Sequence, residues 1–473
     1  MEERNQALFL KITTDKDEAD LLAKPPQSIE ILPGDAHEWV ESYPDNEHKP
    51  FILVEGNLGV PEKLLYQLYL SAIKQFSVIT TRYVESKPKS IEYYRTASLL
   101  TQVILLVNPA HQTALNFRRF SLLEPSQLGA HSTTPPLISY QAELDYISAL
   151  FSIKTCAKNS ALWHYRRVLL YYQHGPHYMS PDSKKLQHTK SGLEDDEIME
   201  RIDIPDDCFR HEFEIATRAC EVYPRNYYAW FHRSLCLRSY WIRSHKGARA
   251  QLQASHAEEI VGPEVTNLSL ILEELDFVLR WIDRHVSDYS AVDYAFRIYD
   301  ITQLACEKDR NDPCPVSCAC ASISSYSLNV LDKLVYHAWS LLQSFPNYEN
   351  LWLYTRRALD ISLEKAQLKE EIFDFATKIV EASSVLKNTT TEMENIKLGE
   401  NLYTSLEFDT ITRNALHFLL WYDRRLQTSS RVTTREFPLL CKNTTPGLFC
   451  NHTVVNTISP IFKVKDVGQV RQG

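Results

Sequence analysis

The feature that most constrains this chain is a recurring turn. Tyr223-Pro224-Arg225-Asn226-Tyr227-Tyr228-Ala229-Trp230-Phe231-His232-Arg233 reads as the end of one helix, a tight turn and the start of another. A residue before proline disfavours the helical region, so the upstream helix should end at about Tyr223. Asn226 can cap the next helix by accepting N–H groups of its first turn. Trp230 falls four residues past that cap, and Arg233 three past Trp230, which puts both on one helical face. Asn159, Trp163 and Arg166 repeat the spacing. Pro346 precedes Trp352 by the six residues that separate Pro224 from Trp230, with Arg356 and Arg357 one residue late. Asn108 to Arg119 has Leu115 in the tryptophan place; Asp288 to Tyr294 keeps the cap but has Val292 for Trp and Ala295 for Arg. A sixth candidate, Trp421 to Arg425, lacks the preceding Pro and Asn.

The anchors at 115, 163, 230, 292 and 352 are spaced by 48, 67, 62 and 60 residues. That exceeds a compact helical hairpin, so insertions must separate the repeats. Helical stripes flank the turns: Phe213, Ile215, Ala216, Ala219 and Val222 before the central one, Leu235, Leu237, Tyr240 and Trp241 after it. Leu268 to Ile282 and Val330 to Leu342 show the same spacing. No hairpin of this kind buries its apolar face alone, so neighbours must stack into an all-α solenoid. Each tryptophan is expected as filler between repeats. Each arginine is expected to donate to carbonyls of the adjacent turn.

Residues 1–50 read as a polar, partly ordered leader, 51–430 as the helical-repeat domain and 431–473 as a tail of no readable structure. The composition turns apolar at Phe51 to Val60, and Pro61 opens a helical pattern. A second helix is expected over about Ser90 to Val107. Stretches 173–207, 244–264 and 307–325, which carry Gly, Pro or an acidic run, read as exposed insertions.

Twelve glycines argue against a glycine-rich nucleotide fold, and a net charge of −9 disfavours nucleic acid as a partner. There is no secretory charge pattern at Met1 and no apolar run of spanning length, so the expectation is a cytoplasmic protein with ten reduced cysteines. Cys314, Cys318 and Cys320, with Cys306 upstream, lack the paired arms of a structural zinc site; the expectation is no metal in this chain. A zinc-binding adaptor built on that segment is the weakest reading. His164, His174, His177 and His188 are scattered, and no nucleophile elbow, P-loop or dinucleotide fingerprint appears. An enzyme working alone is not expected.

The Asn-x-x-x-Trp-x-x-Arg turns, with Phe51 to Val60 and Val286-Ser287-Asp288-Tyr289-Ser290, resemble protein prenyltransferase alpha subunits over roughly residues 50 to 360. The resemblance implies a right-handed superhelix of helical hairpins wrapped around a separate beta subunit, which holds the catalytic zinc and most of the isoprenoid pocket. It points to a beta subunit of the Rab geranylgeranyltransferase type and to geranylgeranyl transfer onto a protein cysteine, with activity only in the complex. Alpha subunits place a lysine five residues before this tryptophan, facing the isoprenoid diphosphate; here it is Lys158, before Trp163. Farnesyl-type subunits follow that Lys-Asn pair with tyrosine, where this chain has Ser160. Tyr227 matches a family tyrosine near the active site. The alternative from a different class is a helical-repeat scaffold that kept the fold without the catalytic partnership. Trp163, Arg166, Asn226, Trp230, Arg233 and Trp352 are structural in either case.

Overall fold

The computed structural model describes residues 26–44, 48–85, 91–123, 139–175, 195–255, 263–310, 319–362, 365–388, 395–398 and 401–429. It forms two compact units, Met1–Val330 and Leu331–Gly473. The all-α expectation holds for both, with small sheets added.

The first unit opens with a sheet of β1 (Ser28–Leu32), β2 (Ile52–Val54) and β3 (Asn57–Pro61), in the order β1-β3-β2. β1 pairs parallel with β3, Ile29 opposite Leu58, and β2 pairs antiparallel with β3, Leu53 opposite Leu58. Ile29, Leu58 and Val60 are buried on one face, while Leu32 and Ile52 pack with Ala36 on the other, so both faces of the sheet are covered. A short helix, α1 (His37–Ser42), lies between β1 and β2. Part of the polar leader is therefore a strand. β1 is also tied to the helices: Ile29 N–H donates to Ser152 Oγ (2.7 Å), and that hydroxyl lies 2.8 Å from the Ile29 carbonyl.

Helices follow as α2 (Glu62–Glu85), α3 (Ile91–Val107), α4 (Gln112–Leu123), α5 (Tyr140–Leu150), the single turn α6 (Lys154–Ala157), α7 (Ser160–His174), α8 (Asp195–Glu200), α9 (Asp206–Val222), α10 (Tyr227–Ser255), α11 (Pro263–Arg284) and α12 (Tyr289–Arg310). Successive hairpins are α3–α4, α5–α7, α9–α10 and α11–α12. The central one shows why the sequence folds this way. α9 buries Phe209, Phe213, Ala216, Ala219 and Cys220, one stripe of a 3.6-residue period. It ends at Val222, and Arg225 takes a left-handed φ of 60° to reverse the chain. Asn226 Oδ1 then accepts from Ala229 N–H at 3.2 Å.

The insertions are narrower than their composition suggested. α10 continues to Ser255 and α12 to Arg310, while α8 occupies 195–200 of the first insertion. Residues 176–194, 256–262 and 311–318 lie outside the described residues, as does the tail from 430.

The second unit contains the end of α13 (Ala319–Ser344), then α14 (Glu349–Ile361), α15 (Ala366–Asn388), the β4–β5 pair (Asn395–Leu398, Asn401–Thr404) and α16 (Ser405–Ser429). α14 and α16 run parallel: Trp352 meets Phe418, Arg356 meets Trp421 and Asp360 meets Arg425. The sixth turn is not at Trp421, which lies within α16. It is at Thr404, whose Oγ1 accepts from Glu407 N–H (3.3 Å) while Glu407 Oε2 accepts from Thr404 N–H (2.9 Å), a reciprocal cap. Phe408, 2 % exposed, takes the anchor place four residues on. Thr replaces Asn and Phe replaces Trp, so the motif is hidden while its physics is kept.

No helix among the described residues is long and apolar enough to cross a membrane.

Candidate functional site: the turns of the second and third hairpins

Two neighbouring turns carry the candidate residues. In the second, α6 ends on Lys158, and Asn159 caps α7 by accepting from Ala161 N–H (3.0 Å) and Leu162 N–H (3.2 Å). Trp163 is fully buried, its ring stacked 3.9 Å from Phe151. Its indole N–H donates to the Ala157 carbonyl at 2.7 Å. The same carbonyl accepts from Asn226 Nδ2 at 2.8 Å, across the hairpin boundary. Asn226 also donates to Ala219 O (3.2 Å). One side chain thus caps α10, closes α9 and holds the peptide that immediately precedes Lys158.

Lys158 itself is exposed, with Nζ 5.1 Å from the centre of the Tyr223 ring. A cation over an aromatic face is drawn to the ring's negative quadrupole, so Tyr223 gives the lysine a preferred direction without neutralising it. Tyr227 is 49 % exposed at the start of α10, its ring parallel to Phe231 at 5.8 Å. The structure therefore brings Lys158 and the Tyr223–Tyr227 turn together through Asn226. Ser160 is exposed at the start of α7. A rigid backbone presenting a hydrated cation beside aromatic surface can hold an anionic group that has an apolar attachment.

The repeat arginines are packing elements, and their main partners are carboxylates. Arg118 Nε donates to Glu143 (2.6 Å), with a second bond from Nη2 (2.5 Å). Arg166 forks onto Glu212 at 2.6 and 2.6 Å, and Arg233 onto Glu274 at 2.7 and 2.8 Å. Each glutamate lies on the first helix of the next hairpin. The remaining nitrogen, Nη1, donates to a carbonyl and a hydroxyl on the arginine's own first helix: Ser98 O and Thr101, Leu144 O and Ser148, Phe213 O and Thr217. The expected carbonyl contacts exist, but on the arginine's own hairpin rather than the adjacent turn. A further side chain, two residues past the anchor of the following hairpin, completes each rung: Tyr165 on Glu143 (3.1 Å), His232 on Glu212 (2.9 Å) and Tyr294 on Glu274 (2.7 Å). Three hairpin boundaries carry this rung. Glu212 and Glu274 each stand fourteen residues before their cap, Asn226 and Asp288, a signal the turn pattern alone does not use.

Electrostatics follow from this geometry. Burial pushes the Glu212 carboxyl up, but the Arg166 guanidinium and the bond from His232 hold it well below the ordinary carboxylate range. Burial drives His232 below its usual value despite Glu212, with Arg167 and Arg166 acting in the same direction. An ion pair with Glu212 would need a charged imidazole. We assign the neutral ring, with Nε2–H donating to Glu212, because Nδ1 is buried without a partner. A lone pair left there costs less than an unsatisfied N–H on a buried cation.

The fourth turn keeps its cap without Trp or Arg. Asp288 Oδ1 accepts from Ser290 N–H (3.0 Å) and Ala291 N–H (3.1 Å), and Oδ2 accepts from the indoles of Trp230 (3.3 Å) and Trp281 (3.1 Å). Trp281, on the first helix, is buried edge-on to Trp230 at 5.5 Å and stacks on His285 at 4.3 Å. In the fifth, Trp352 donates to Pro346 O at 2.8 Å, as Trp163 does to the residue six before it.

Among the described residues no group of three or more His, Cys, Asp or Glu is placed to hold a metal ion. Cys314 and Cys318 lie outside the described residues, as do His177 and His188, and the side chains of Cys306 and Cys320 are likewise not described.

A buried Arg–Glu rung joining capped helical hairpins defines a helical-repeat protein. The family model of the protein prenyltransferase alpha subunit repeat matches residues 209–240 and 271–309, the third and fourth hairpins. This chain carries that repeat in both stretches, including the one without Trp and Arg. No curated protein matches the chain.

Proposed function

We propose that this chain is the alpha-like subunit of a protein geranylgeranyltransferase of the cytoplasm, active only with a beta subunit of the Rab geranylgeranyltransferase type. The partner would supply the zinc that activates the acceptor cysteine and most of the isoprenoid pocket. This chain would supply Lys158. As the carbon–oxygen bond to the diphosphate breaks, negative charge grows on the leaving oxygens, and a cation fixed in advance stabilises that charge without reorganising. Tyr227 would pack against the isoprenoid or the partner. The observation that carries the reading is the locked peptide before Lys158, whose carbonyl is held by Trp163 from one hairpin and Asn226 from the next.

Co-expression with that beta subunit, followed by geranylgeranyl transfer to a farnesylated protein, tests it. A stable complex is expected, and Lys158→Ala should lower the rate by about 100-fold or more, the scale on which one preorganised electrostatic contact acts, with the complex intact. Failure to co-purify would overturn the enzyme reading, and full activity in Lys158→Ala would overturn the role of Lys158. The second reading, a non-catalytic scaffold, is favoured by Ser160 in the tyrosine place and by the loss of Trp and Arg in the fourth turn. It predicts a complex without transferase activity.

A further inference from the structure

The third turn grips the second by two different handles. Pro224 disfavours helix at the residue before it, so α9 stops and Tyr223 turns extended, with φ −132° and ψ 99°. Its N–H still closes on Ala219 O at 3.1 Å, which fixes the peptide from which the ring leaves. Three residues on, Asn226 holds the Ala157 carbonyl at 2.8 Å. The backbone entering Lys158 is thus held by Asn226, and its ammonium lies 5.1 Å from the centre of the Tyr223 ring. Among the described residues that ammonium meets no carboxylate and no hydrogen-bond acceptor. The equivalent cation one turn along is tied differently. Arg225 stands five residues before Trp230, as Lys158 does before Trp163, and it spends a donor on Ser287 Oγ at 2.9 Å. Lys158 is directed by a ring, which has no lone pair in its face to take up an N–H.

We propose that Tyr223 is a positioning residue for Lys158: its ring face aims the ammonium while leaving the N–H donors for the anionic group that the site receives. This role rests on the reading of Lys158 as the cation that faces the diphosphate. A lysine ammonium sits on a flexible four-carbon stem and is strongly hydrated, so an unheld one is spread over many rotamers. Narrowing that range in advance removes part of the ordering cost at the moment charge grows on the leaving oxygens. A carboxylate would hold the lysine more firmly, but it would compete with the diphosphate for the same charge. A neutral ring attracts through its quadrupole and leaves the charge whole. The face of the ring is therefore what the site needs. The Tyr223 hydroxyl is dispensable, and an aliphatic side chain of similar reach cannot stand in for it.

Two measurements test this. In the first, the lysines of the full chain are reductively methylated with isotope-labelled methyl groups, which keeps their charge, and Lys158→Arg identifies the Lys158 signal by NMR. Ring current should move that signal upfield; Tyr223→Phe should keep the shift and Tyr223→Leu should abolish it. No shift, or one that survives Tyr223→Leu, would overturn the contact. In the second, single-turnover geranylgeranyl transfer is followed in the complex with the beta subunit. Tyr223→Leu should slow it by about three- to thirty-fold, the range that one cation–π contact spans from hydrated to desolvated, and Tyr223→Phe should run at the wild-type rate. Lys158→Ala/Tyr223→Leu should be no slower than Lys158→Ala alone, since an aiming residue has nothing left to aim. A wild-type rate in Tyr223→Leu beside a slow Lys158→Ala would overturn the role of Tyr223 and leave that of Lys158 standing. A wild-type rate in Lys158→Ala would overturn the reading beneath both. Tyr223→Phe as slow as Tyr223→Leu, or losses that add in the double variant, would also overturn aiming by the ring. Matching thermal unfolding of the variants keeps a folding defect from passing as lost aim.

Discussion

Removing the Glu212 carboxylate is the sharpest probe of what joins the hairpins. Glu212 is 2 % exposed and accepts two bonds from Arg166 and one from His232. In Glu212→Leu, Arg166 keeps its contacts to Leu144 and Ser148 but loses its counter-charge in a site 1 % exposed. A buried charge stripped of its partner costs about 3–5 kcal/mol. The lost bond to His232 adds about 1 kcal/mol, since a buried donor is then unmet. The double variant Arg166→Met/Glu212→Leu removes both charges and fills similar volume. Such replacements are often neutral or even stabilising by about 1–4 kcal/mol. Urea unfolding followed by circular dichroism and tryptophan fluorescence should therefore show a large loss in the single variant and recovery of most of it in the double. A single-variant loss below about 1 kcal/mol would mean that the pair is hydrated rather than buried. Losses that simply add in the double variant would mean that the rung works by packing and not by charge.

Three further outcomes follow from the same geometry. His232 and His174 are both driven down by burial, so each contributes stability that is present above the unfolded histidine value of about 6.5 and is lost as pH falls through the folded value. The unfolding free energy should fall as the pH drops below about 6.5, and His232→Gln should flatten that slope; a slope unchanged by His232→Gln would refute the neutral-ring assignment. Trp230→Ala should destabilise by about 3–5 kcal/mol, and an unshifted melting curve would show that Trp230 is not core filler. Asp288→Ala removes the α12 cap and strands two indole N–H groups, for about 2–4 kcal/mol in all. Hydrogen exchange should speed up at the start of α12 and around Trp230, and exchange unchanged at Trp230 would show that the indole bond is not held in solution.

Local chemistry was legible in the chain. Caps, proline stops and apolar stripes act within a few residues, so Asn159, Asn226 and Asp288 could be recognised as the starts of α7, α10 and α12 without knowing the fold. The same locality explains one failure: Thr404 and Phe408 do a turn's work with other residue types, and a pattern anchored on tryptophan chose Trp421 instead. It also explains the leader, where β1 is a strand only because β3 and Ser152 supply its hydrogen bonds. The resemblance, not any local signal, singled out Lys158, and nothing in the sequence showed the double hold on Ala157.

The sequence by itself determined that this is a set of capped helical hairpins, because every signal needed lies within one turn or one helix face. Tertiary structure decided what the arginines are for. Arg118, Arg166 and Arg233 meet glutamates 25, 46 and 41 residues away, on the next hairpin. No local pattern ranks Glu212 above its neighbour Glu214, which is exposed. A guanidinium buried without a counter-charge is untenable, so the fold had to bring an acid to each arginine of the rung. At Arg356 it brought none within bonding distance of Nε.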